Sequence, residues 1–180
     1  MLFRSPTYRD DTINVSILPS QLRRLALGPA RWELPPAMSA LLRELRLEAP
    51  LEQPTLLPFL TAESNQLISL HLAETPCSTA EIFEGSAFET LERLVLVDDL
   101  ADDALEWLSR SPLLRKLTHL TVGGPFTDAG LDFVLRAFDR FSRLEQIVLW
   151  GGVISRELRA MARKQLPQML LVKQAPPSTW

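Results

Sequence analysis

The feature that most constrains this 180-residue chain is a pattern that keeps returning: an apolar residue, two variable residues, a second apolar residue, one variable residue and a third apolar residue. It reads Leu22-Leu25-Leu27, Leu42-Leu45-Leu47, Leu67-Leu70-Leu72, Leu91-Leu94-Leu96, Leu117-Leu120-Val122, Leu144-Ile147-Leu149 and, in degenerate form, Leu166-Met169-Leu171, with starts 20 to 27 residues apart. The last two apolar positions of each block are two residues apart, which sets both on one side of a short strand. A unit of about two dozen residues cannot bury that side against itself, so successive units must stack.

The intervening segments have helical spacing. Leu131, Leu135, Phe138 and Phe141 follow Thr127, a candidate N-cap, and predict one helix. Leu105 with Leu108, and Ile82 with Phe83, give shorter faces, the latter behind Ser78 and Glu81 spaced as a capping box. Ile154, Leu158, Met161 and Ala162 predict the buried face of a last helix. Each unit is therefore strand, turn, helix and return loop, with a parallel sheet inside and helices outside. Helices are about 10 Å wide and paired strands about 4.8 Å apart, so the stack should bend and present a concave, sheet-lined face.

Ile13, Val15 and Ile17 alternate with Asn14 and Ser16, which predicts an N-terminal capping strand that continues the sheet. Residues 28–41 contain GPARWELPPAM and read as a proline-broken loop. The tail QAPPSTW reads as disordered. The expected organisation is one domain: a cap over 1–21, repeats over 22–165, and a C-terminal cap and tail over 166–180.

The blocks, the helical returns and the unit lengths resemble the leucine-rich-repeat family over residues 22 to 172, in particular its longer-unit subclass typified by ribonuclease inhibitor. The resemblance implies an α/β solenoid with a curved parallel sheet on its concave side and helices on its convex side. It departs from the family in lacking the usual Asn or Cys three residues after the third apolar position: Pro50, Thr75, Asp99, Pro125 and Gly152 stand there. Thr75 and Asp99 have side chains that bond turn backbone, whereas the prolines and glycine do not, so irregular turns are expected. The cysteine-rich flanking caps of secreted members are absent.

Composition narrows the function. Hydrophobic residues at 46% suffice for a sizeable core. With 19 Lys and Arg against 22 Asp and Glu, and no long run of one sign, the chain lacks the basic face that nucleic acid needs. Cys77 is the sole cysteine, and MLFRSPTYRDD has no signal-peptide character, so a reducing, cytoplasmic setting is expected. Apolar stretches of four or five residues predict no membrane span.

The variable strand positions should line the concave face. Val95, Val97, Val148 and Trp150 are apolar where the core does not need them, and they form the candidate partner-binding patch, with Trp150 as its hot spot. His71, His119, Arg46, Arg93 and Gln146 complete it, and Arg46 with Glu44 and Glu48 would orient a partner. His71 and His119 fall on the same face on separate strands, on the order of 10 Å or more apart, too far to share a zinc ion. Asp98, Asp99, Asp102 and Asp103 cluster where a helix begins and read as N-caps in place of a calcium loop. Cys77, in TPCST, reads as a turn residue; bacterial ubiquitin ligases with leucine-rich repeats carry their reactive cysteine in a separate helical domain. Arg156, Arg159 and Arg163 read as a solvated helix face. No nucleotide loop, G-x-S-x-G or HExxH motif occurs.

The expectation is a non-enzymatic module, without cofactor or metal, that binds a protein partner as adaptor, inhibitor or scaffold. The alternatives are a GTPase-activating or other regulatory protein of the leucine-rich-repeat type, and a structural piece of a larger assembly.

Overall fold

A computed structural model describes residues 13–14, 23–27, 32–33, 40–48, 60, 66–73, 88–97 and 101–173. They belong to two compact units, residues 1–92 and 93–180. The first holds β1 (Ile13–Asn14), β2 (Arg24–Leu27), β3 (Trp32–Glu33), β4 (Glu44–Leu47) and β5 (Ser69–Ala73). The second holds β6 (Arg93–Val97), α1 (Ala101–Arg110), a 3-10 turn (Pro112–Arg115), β7 (His119–Gly123), α2 (Asp128–Arg136), α3 (Phe138–Phe141), β8 (Gln146–Trp150), α4 (Arg156–Gln165) and β9 (Met169–Val172). The architecture is α/β and repeat-like, with every strand pairing parallel.

The apolar blocks set the register. In the first unit Leu25, Leu45 and Leu70 lie side by side, as do Leu27, Leu47 and Leu72. In the second, Leu94, Leu120, Ile147 and Met169 form one row and Leu96, Val122, Leu149 and Leu171 the other. All are buried except Leu171, on the last strand. Each fully buried aliphatic side chain contributes roughly 1.5–3 kcal/mol, so these rows dominate the stability of each unit.

Strand entry also repeats. The Arg23 carbonyl accepts from the amides of Arg43 (2.8 Å) and Glu44 (3.0 Å), and the Arg43 carbonyl accepts from Ile68 (2.7 Å) and Ser69 (3.0 Å). In the second unit the Thr118 carbonyl does the same for Glu145 (2.8 Å) and Gln146 (3.2 Å). Arg23 and Arg43 each reach on to a return-loop carbonyl, of Leu41 (3.3 Å) and Gln66 (3.2 Å). Side chains thus satisfy backbone groups that the sheet leaves over.

Four expectations change. β1 does not continue the main sheet: it pairs with β3, inside the segment read as a loop, to form a separate two-stranded parallel sheet. Val15 and Ile17 lie outside the described residues, as do Cys77, Asp98, Asp99 and the faces around Ile82. The helix after Thr127 is two helices, broken at Ala137 (φ −103°, ψ 24°). The break keeps Phe141 fully buried and turns Phe138 to solvent, and Arg140 Nη1 anchors the second piece on the Ser109 carbonyl at 2.8 Å. On α4 only Ala162 is buried; Leu158 is half-covered and Met161 exposed, and Ile154, half-covered, lies before the helix.

Asp102 departs most from its expected role. Its carboxylate accepts from the Thr127 amide at 2.8 Å and the Thr127 hydroxyl at 2.7 Å, so it holds the N-cap of the following helix, α2. Thr127 Oγ1 in turn accepts from the Ala129 amide at 3.2 Å. Asp128 repeats the device, accepting from the amide of Ser155, the N-cap of α4, at 2.8 Å. Gly130 makes the first contact possible, because a Cβ there would overlap Asp102 Oδ1.

Gly130→Ala therefore runs against helix propensity, which alone would stabilise α2 by about 1 kcal/mol. We expect it to destabilise the fold by about 1–2 kcal/mol, as does Asp102→Ala through loss of the cap. In the double variant the clash disappears, so the two costs do not add; additive losses in denaturant melts would refute this coupling.

Candidate binding face

Opposite the helices, the second unit presents three rows of variable side chains, set by the same register. Arg93, His119 and Gln146 form the row at the strand starts; Val95, Thr121, Val148 and Leu170 form the middle row; Val97, Gly123, Trp150 and Val172 form the last. The first row is polar and the other two are apolar apart from Thr121. Four of the residues singled out from the sequence, Val95, Val97, Val148 and Trp150, thus stand on one continuous surface, with Arg93, His119 and Gln146 at its border.

Two of them are less available than expected. Val148 is only 8% exposed, between Thr121 and Leu170. Trp150 lies against Gly123, its partner in register: a Cβ at Gly123 would overlap the indole atoms Cε2, Cζ2 and Nε1. Its ring thus covers a neighbouring strand and is half-exposed, so it both lines the face and packs on it. Leu170, 50% exposed, and Val172, 38% exposed, were missed. They occupy the variable positions of the degenerate block Leu166-Met169-Leu171, which reads from the sequence as a cap.

The corresponding face of the first unit is charged. Arg24 pairs with Glu44 at 3.1 Å, and Arg46 pairs with Glu48. Ser69 and His71 of β5, expected at an open surface, are buried, so this strand is covered on both faces. Arg46 and His71 are neighbours in register. Desolvation, followed by the Arg46 guanidinium and opposed by Glu48, lowers the His71 pKa from 6.5 to about 4. His119 is held differently, with Nδ1 2.8 Å from Thr118 Oγ1. Among the described residues no three His, Cys, Asp or Glu side chains gather as a metal site. No helix there is long and apolar enough to cross a membrane.

The surface is apolar, continuous over four strands and bordered by polar groups. No family model matches the chain, and no curated protein does. Its fold is similar to that of a Bacteroides fragilis protein whose crystal structure came from a structural genomics consortium, with a TM-score of 0.58 and 17% identity, covering 76% of this chain and 43% of that one. The chain thus spans less than half the length of that protein. At this identity the likeness concerns the fold alone.

The His71 environment has a consequence for stability. At pH 7 the imidazole is neutral in both folded and unfolded chains; below about 6.5 the unfolded chain takes up a proton that the folded one refuses until about pH 4. Stability should therefore fall as the pH drops across this window, by on the order of 3 kcal/mol in total. His71→Gln should flatten that part of the profile; an unchanged slope in urea melts at successive pH values would remove His71 as its cause.

Proposed function

We propose that the chain is a leucine-rich-repeat module, a non-catalytic binder that recognises a protein partner on the sheet face opposite its helices. The observation that carries this reading is the apolar pair of rows across β6 to β9. Soluble domains leave such continuous apolar area uncovered chiefly where something docks. Arg93, His119 and Gln146 then form a polar rim at one side, as interfaces with an apolar centre have. The repeat-like parallel architecture supports the solenoid reading, in which this face is the concave one, because stacked strand-and-helix units present their variable strand residues together.

Within the patch, Val95 and Leu170 are better probes than Trp150, whose removal would also uncover Gly123. The double variant Val95→Asp/Leu170→Asp should keep its melting temperature within a few degrees, because both side chains are partly exposed. It should lose a partner captured from native lysate by the wild-type chain, with affinity down by about a hundredfold or more if both contacts are central. Equal retention of the same partner by both proteins would show that this face is not the one used.

A further inference from the structure

Helix α4 differs from α1 and α2 at the positions that receive a neighbour. Asp102 on α1 accepts from the N-cap amide of α2, and Asp128 on α2 from that of α4. On α4 the residue in that place, directly after N-cap Ser155 as Asp128 directly follows Thr127, is Arg156. Three residues on, Leu105 and Leu131 are fully buried, and their counterpart is Arg159. Seven residues on, Ser109 and Leu135 are buried, and their counterpart is the exposed Arg163. One flank of α4 has thus exchanged a carboxylate, a leucine and a second buried position for three guanidinium groups.

Among the described residues these charges lack the local ion pairs of the other two helices. Arg110 pairs with Glu106 at 2.6 Å and Arg136 with Asp132 at 2.5 Å, whereas Lys164 of α4 has Ala160 at the equivalent place. Among the described residues no carboxylate forms an ion pair with Arg156, Arg159 or Arg163. Four cations stand against one Glu157 on this helix, in a chain whose net charge is -3.

The equivalent positions on α1 and α2 face the next unit, and in that same direction β9 is the end strand of the sheet among the described residues. β9 pairs only with β8 among the described residues. The carbonyls of Gln168 and Val172 face β8, accepting from the amides of Ile147 and Gly151 at 3.3 Å each. Alternation then points the N–H and C=O of Leu171 outward, with the exposed Leu170 and Val172 on the face opposite the helices.

We propose that the outer edge of β9 and the arginine flank of α4 form a docking site for an acidic strand of a partner protein. The strand adds to β9 through its backbone, lays apolar side chains beside Leu170 and Val172, and directs alternate carboxylates to Arg159 and Arg163. A further helix of the chain's own kind is disfavoured, because Arg156 replaces the carboxylate that would hold its N-cap. A second copy is disfavoured as well, since a two-fold pairing at this end would oppose two cationic flanks. Leu170 and Val172 also belong to the proposed face, but the open strand edge and the arginine flank do not depend on that reading.

The test is fluorescence anisotropy with a labelled octapeptide of alternating Val and Glu, beside one of alternating Val and Lys. The wild-type chain should bind the acidic peptide in a salt-sensitive manner and ignore the basic one. Arg159→Glu/Arg163→Glu should weaken binding by about tenfold or more, with an unchanged circular dichroism spectrum, because neither position supports the core. Leu170→Glu should weaken it too, whereas Val95→Asp, on β6, should leave it intact and so separates this site from the face. Equal binding of the two peptides, no binding, or full binding by the double reversal would overturn the proposal. So would a wild-type dimer in sedimentation that Leu170→Glu dissolves, or flotation with phosphatidylserine vesicles that the acidic peptide does not displace.

Discussion

The carboxylate that reaches from one helix to the start of the next fixes the spacing on which the second unit depends. An N-cap leaves backbone amides that need an acceptor, and in most helices the cap side chain supplies it locally. Here Thr127 and Ser155 supply part of it, while their own amides are taken by Asp102 and Asp128 from the preceding helix. The bond does two things: it satisfies a polar group at a helix end, and it holds neighbouring helices at a fixed offset. Gly130 shows how tight that offset is, because the carboxylate occupies the place of the missing Cβ. With the helices set, the strands below them can keep the leucines in register.

Sequence spacing made the core legible because it carries the strand period directly. Leu94, Leu120 and Ile147 align on neighbouring strands as the block pattern requires, and so do Leu45 and Leu70 in the first unit. Helix boundaries were less legible. Leu131, Leu135, Phe138 and Phe141 fit one helical face on paper, but tertiary contacts choose which phenylalanine is buried, and the Arg140 bond to Ser109 favours the broken arrangement. The role of Asp102 was hidden for the same reason: an acidic residue in a first turn signals a helix start, without saying which helix it serves.

The candidate face was legible in composition and illegible in depth. Val95, Val97, Val148 and Trp150 stand on it as alternation dictates. Alternation does not say how far a side chain projects, which depends on its neighbours across the strands: a glycine beside Trp150 lets the ring lie down, and Leu170 shields Val148. His71 is the sharper case, since its strand is buried on both faces and an imidazole placed by pattern on an open surface is instead desolvated beside a guanidinium. Charge, burial and register have to be read together there.

The same reasoning separates a helix that ends a series from one that continues it. A stack can close by turning its last apolar flank polar, and arginine suits this, since its stem packs on apolar surface while its head stays in water. Solubility alone, however, is served by charges of either sign and by pairs. α1 and α2 use such pairs, Glu106 with Arg110 and Asp132 with Arg136. α4 puts three cations, without an ion pair among the described residues, on the flank toward a strand edge that pairs with no further strand among them, and that strand leaves Leu170 and Val172 exposed. A closing device needs neither the single sign nor the apolar edge, whereas a receiving surface for an acidic strand needs both.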